Sequence, residues 1–208
     1  PKSLGVKSAK GLDGASVCIQ TGTTTELNLA EYFKGNNIKY NPVPIETNAE
    51  AQELYKAGRC DVYTTDASGL YATMMSFDNP SDHMVLPEIV SKEPLGPVVR
   101  HGDDQWADIV SWVLRAMMAA EEKGITSKNV KELAAKDNKD KEINRLLGKD
   151  PLQGLSKLGL SPDWAVNVIS QVGNYQESFE KHLFPLTIKR GMNALYRDGG
   201  LHYIPPIK

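Results

Sequence analysis

Apolar positions in the first hundred residues come in short blocks set apart by turn residues, and their period changes from block to block. Val17, Cys18 and Ile19 make a continuous apolar run, which predicts a strand over Ala15–Gln20 buried on both faces. Leu27, Leu29, Ala30 and Phe33 then fall on a helical period, and Gly35-Asn36-Asn37 offers a left-handed closure for that helix. Ile38–Val43 reads as a second strand, at a sheet edge because of Pro42 and Pro44. Glu50–Ala57 reads as a short helix stopped by Gly58, and Cys60–Thr65 as a third strand ending at Asp66. A helix over Leu70–Met75 and a strand near Met84–Leu86 complete the series. Strand and helix in alternation predict an α/β fold, a mainly parallel sheet flanked by helices.

The second half changes character. Asp104–Lys123 predicts a strong helix, with Trp106, Ile109, Val110, Val113, Leu114 and Met117 along one stripe. Weaker helices are predicted over Lys128–Ala135 and Lys141–Leu147. Ser161-Pro162 looks like a cap with proline in the first turn, opening a helix that runs through Val172. Two more are predicted at Tyr175–His182 and Thr187–Arg197. Trp112, Tyr175 and Phe179 are expected in the core.

Charge and composition narrow the function. A net charge of -2 with no long basic stripe argues against nucleic acid as a partner. No apolar run is long enough to span a bilayer. His83, His101, His182 and His202 are scattered without metal-ligand spacing, so no metal site is expected. No Gly-x-Ser-x-Gly, Walker or dinucleotide motif occurs, so no cofactor is implied. Cys18 and Cys60 each lie in an apolar strand-like run, and both a pair of buried thiols and a disulfide fit that placement.

Two segments carry candidate chemistry. In Gln20-Thr21-Gly22-Thr23-Thr24-Thr25-Glu26, Thr23 and Glu26 have capping-box spacing. The N–H groups of Thr24 and Thr25 would then be unpaired at the positive end of a helix, where a carboxylate is favoured. The hydroxyls of Thr23 and Thr24 would add donors, and Gly22 would let the backbone approach closely. The same spacing is equally that of an ordinary well-capped helix. Asp66 is expected at the carboxyl end of its strand, the end at which open α/β sheets place ligands, and could receive an ammonium; it is also placed to cap a helix that begins at Ala67-Ser68-Gly69. Together the two segments would clamp a zwitterion.

These stretches resemble the solute-binding proteins of polar amino-acid ABC transporters, in particular the general L-amino-acid-binding branch. The likeness is carried by Ser3–Lys10, Gln20–Glu26, Gly58–Val62 with Thr64–Asp66, Leu86–Pro97, Gly102–Trp106 and Gln171–Tyr175. It implies a periplasmic location, L-amino acids as ligands and an ABC permease as partner. It also implies that the Gly-Thr-Thr turn binds the ligand carboxylate and the strand-end aspartate its ammonium, roles that fall on Thr23, Thr24 and Asp66. Cys18 and Cys60 would lie on neighbouring strands, where a disulfide can form. Members of the family have two lobes joined by two crossovers. By this resemblance residues 1–97 are a periplasmic-binding-protein type II second lobe, and 98–208 are the returning crossover and a helical region that packs on lobe one. The first part of lobe one is not in the sequence, so weakened binding is expected, with a homodimer or a separate lobe-one fragment as possible completions. A dehydratase on the same fold, with Glu26 as its acid or base, and a ligand-free interaction module are the alternatives.

Overall fold

The computed structural model describes residues 1–149 and 158–206. The chain divides into two compact units, Pro1–Leu95 and Gly96–Lys208.

The first unit is built on a three-stranded parallel sheet in the order β2-β1-β3. β1 (Ser16–Gln20) lies in the middle, paired with β2 (Asn41–Ile45) on one side and β3 (Val62–Tyr63) on the other. Alternate side chains of β1 serve two separate cores, as the strand's period of two requires. Val17 and Ile19 pack with Leu29 and Phe33 of α1 (Thr24–Gly35). Cys18 packs with Ile45, Ala51 of α2 (Asn48–Lys56) and Cys60. A third helix, α3 (Ala67–Met75), follows β3. Pro42 and Pro44 sit on an edge strand, where a missing N–H costs least.

Several boundaries differ from expectation. The second strand starts at Asn41, because Ile38 N–H still bonds to Phe33 O in the helix closure, where Asn37 takes φ +57°. The third is reduced to two residues. Met84–Leu86 is not a strand. Leu86 and Val90 pack on the Val17–Ile19 core, but side chains hold the segment: the Glu88 carboxylate accepts from Ser8 Oγ and Ala9 N–H.

Cys18 and Cys60 form a disulfide within this core, both side chains buried. It joins the middle of β1 to the residues leading into β3, across a sequence separation of 42.

The second unit is helical. α4 (Asp104–Glu122) packs against α7 (Trp164–Val172) and α8 (Tyr175–Leu183), with α5 (Val130–Ala135) and α6 (Lys141–Leu146) completing the unit. The face of α4 that is buried is formed by Ala116, Ala119 and Ala120, with Trp112 and Met118 packed beside them. The predicted stripe is only half-buried, and Trp106 is 52% exposed. Small residues let the helices approach closely, so the fully buried positions of α4 are not the ones that carry its largest apolar side chains. Asn174 and Glu177 form a capping box for α8, while Asn174 Nδ2 donates to Ile125 O and Glu177 accepts from Ser127 N–H and Oγ.

Two helix expectations are corrected here. α7 starts at Trp164 rather than at Pro162, because Ser161 Oγ donates to the Asp163 carboxylate at 2.5 Å and makes a turn instead of a cap. Thr187–Arg197 is not a helix. Thr187 and Gly191 take positive φ, so the chain breaks into short 3₁₀ turns and closes on itself through Tyr196 N–H to His202 O and His202 N–H to Ala194 O. Arg190 anchors this tail: its guanidinium bonds both oxygens of Glu121 at 2.9 and 3.1 Å and lies over the rings of Tyr175 and Phe179.

Closing a loop of this length by a disulfide contributes about 4 kcal/mol through the unfolded chain's entropy. Refolding the reduced protein in the presence of reductant should therefore lower the denaturation midpoint of the first unit markedly, measured by circular dichroism against the oxidised protein.

His202 stands edge-on to Tyr175 with its buried Nδ1 unpaired among the described residues. Burial, and then the charge of Arg190, hold its pKa below the ordinary value, with Glu121 pulling the other way. Below about pH 6.5 the unfolded chain takes up a proton that the folded tail resists, so stability falls as pH drops through that window and is unaffected above it. Replacing His202 by Gln should flatten this dependence. The check is tryptophan-detected urea unfolding at pH 7.5 and 5.5, since Trp106, Trp112 and Trp164 all belong to the second unit.

Candidate functional site

Three parallel strands leave their carboxyl ends on one edge of the sheet, and each is followed by a helix, so three helix N-termini start from that edge. A concavity of about 330 Å³ lies there. Gln20 enters it from the end of β1, Thr23, Thr24 and Thr25 from the start of α1, Asn48 from the start of α2, and Thr64, Thr65 and Asp66 from the turn after β3. Glu93 and Leu95 complete the wall.

The turn before α1 is fixed by three hydrogen bonds. Thr23 Oγ1 accepts from Glu26 N–H at 3.3 Å and donates to Gln20 O at 2.8 Å. The Glu26 carboxylate accepts from Gly22 N–H at 2.9 Å. The reciprocal half of the box thus lands one residue earlier than the spacing predicts. Gly22 takes φ +70° with no protein atom within 4 Å of a would-be Cβ. Its glycine is required by conformation, not by crowding.

These bonds sort the candidate residues. Gly22 does not line the concavity, and its N–H is spent on Glu26. The hydroxyl proton of Thr23 is spent on Gln20, so Thr23 serves by setting the helix start. Among the described residues the N–H groups of Thr24 and Thr25 have no partner, and neither does the Thr24 hydroxyl. They are the first N–H groups of a twelve-residue helix, whose dipole adds positive potential at the same point.

Asp66 is exposed and is the N-cap residue of α3, but its side chain makes no capping bond; only its carbonyl does, to Leu70 N–H. Its carboxylate is therefore uncommitted at the rim of the concavity. Beneath it, Tyr63 OH donates to Asn48 Oδ1 at 3.2 Å. The Tyr63 pKa is raised, first by burial, with bonds to Thr65 and Gln52 acting against it and the charge of Asp66 adding to it. Of the lining residues, Gln20, Asn48, Thr64, Thr65, Glu93 and Leu95 were not among the site candidates read from the sequence. Gln20 was legible as the last residue of its strand, and Asn48 as the first of the helix that follows the second strand; Glu93 had no such signal.

No family model matches the chain. The general L-amino acid-binding periplasmic protein AapJ of Rhizobium johnstonii is 56% identical over all of this chain and 61% of its own length. The glutamate/glutamine/aspartate/asparagine-binding protein BztA of Rhodobacter capsulatus is 53% identical over all of this chain and 62% of its own. The solved structure of an ABC transporter periplasmic binding protein from Brucella ovis, with glutathione bound, superposes with a TM-score of 0.92 at 50% identity, covering 100% of this chain and 65% of that one. Over its whole length the chain is thus similar to periplasmic amino-acid-binding proteins of ABC transporters. It spans about three fifths of the length of the curated relatives it matches. The Glu26 carboxylate, the one acid or base the dehydratase alternative had available, holds the Gly22 turn.

Replacing Thr23 by Ala removes the acceptor for Glu26 N–H and the donor to Gln20, and should cost about 1 kcal/mol of stability. Chemical denaturation of the first unit, followed by circular dichroism, measures it.

Proposed function

We propose that this chain is part of the amino-acid-binding component of a periplasmic ABC transport system, and that residues 1–95 carry the half-site for the ligand's zwitterionic head. The ligand carboxylate takes the free N–H groups of Thr24 and Thr25 with the Thr24 hydroxyl. The ligand ammonium takes the Asp66 carboxylate. The observation that carries this reading is the pairing of uncommitted donors and an uncommitted acceptor on one concavity at the carboxyl edge of a parallel sheet. Such an edge is the usual ligand position in open α/β sheets, and the dipole of α1 favours the anion.

Names of the relatives range from general L-amino acids to glutamate, glutamine, aspartate and asparagine. That range fits recognition of the shared head group by this lobe. Release to a membrane permease follows from the same reading, with closure of two lobes on the ligand as the mechanism in the longer relatives. Residues 1–95 offer the ligand one wall, without the second lobe that closes on it in the longer relatives. Their affinity is therefore expected to be weaker than micromolar.

In ¹H–¹⁵N spectra of the chain, L-glutamine should shift the amides of Thr23–Thr25 and Thr64–Asp66 at millimolar concentration, and D66N should weaken that response roughly tenfold. Shifts confined elsewhere, or an unchanged response in D66N, would refute the assignment. Micromolar binding would refute the expectation of weakness alone.

A further inference from the structure

We propose that Glu93 sets the charge preference of this lobe, weakening ligands whose side chain carries a second carboxylate relative to their neutral isosteres. The inference rests on reading the concavity as the amino-acid site.

Glu93 shares the wall with Asp66, and no residue lining that wall is Lys, Arg or His. Its Oε1 accepts from Asn28 Nδ2 at 3.0 Å and from Ser91 Oγ at 3.2 Å. Its Oε2 has no donor among the described residues. Asn28 lies one helical turn after Thr24, so α1, whose first N–H groups face the concavity, also orients this carboxylate. A zwitterion satisfies the start of α1 with its carboxylate and Asp66 with its ammonium. Glu93 is then left as an uncompensated negative charge. A side-chain carboxylate brought to this wall meets that charge with no cation to offset it, whereas a side-chain amide of the same shape does not. Asn28 and Ser91 hold Glu93 in place instead of neutralising it.

Dissociation constants of L-glutamate and L-glutamine are to be measured on the 208-residue chain, from the Thr24 and Thr25 amide shifts at pH 7 and low ionic strength. L-glutamate is expected to bind roughly fivefold more weakly than L-glutamine, with the ratio shrinking as salt is added. E93Q should bring the ratio close to one, and N28A, which frees the carboxylate from α1, should reduce it as well. A role confined to tethering residues 91–95 would weaken both ligands equally and leave the ratio unchanged. An unchanged ratio in both variants overturns the inference and leaves the head-group reading standing. If neither ligand shifts Thr24 or Thr25 in the wild-type chain, the head-group reading fails and takes the inference with it.

Discussion

The burial of β1 on both faces is the constraint on which the rest of the first unit depends. Val17 and Ile19 commit one face to α1, Cys18 commits the other to α2, and the disulfide to Cys60 fixes the approach of β3. With the strand fixed in depth and register, Gln20 and the turn after it have one position available. The turn then spends its own polar groups internally, Thr23 on Gln20 and Glu26, Glu26 on Gly22. What it leaves unspent are the first N–H groups of α1. A packing constraint thus determines which backbone donors face solvent.

Charge is divided along the same edge. Positive potential is concentrated where α1 begins, and negative charge sits on Asp66 after β3 and on Glu93. On the proposed reading Asp66 does not need to be buried to act, because the ammonium of a zwitterionic head would be presented to it by geometry, while Glu93 stays uncompensated. On that reading the cost would be incomplete desolvation, since one wall cannot exclude water from both charges of a ligand. The helical unit contributes stability of a different kind, from alanine-mediated packing of α4 and from the Arg190–Glu121 pair that secures the tail.

Much of this was legible in the sequence, and the failures have physical causes. The run Val17-Cys18-Ile19 announces a strand covered on both faces, and Thr23-Thr24-Thr25-Glu26 announces a capped helix start. Two apolar segments misled. Met84–Leu86 has strand composition but is pinned by Ser8 and Glu88 without a ladder. Thr187–Arg197 has helical spacing, but positive φ at Thr187 and Gly191 breaks it. On α4 the apolar stripe drew attention to Trp106 and Val113, whereas Ala116 and Ala120 occupy the core. Asp66 was legible from its place at a strand end. Glu93 was not, since its position depends on the long-range bond to Asn28.

The central claim is that one lobe reads both charges of a zwitterionic head. Its most direct test is to titrate the chain with L-alanine, N-acetyl-L-alanine and L-alaninamide, following the Thr24 and Thr25 amides by NMR. Loss of the ammonium in one analogue and of the carboxylate in the other should each weaken binding by at least roughly tenfold. Binding of either analogue as tightly as L-alanine would contradict the account.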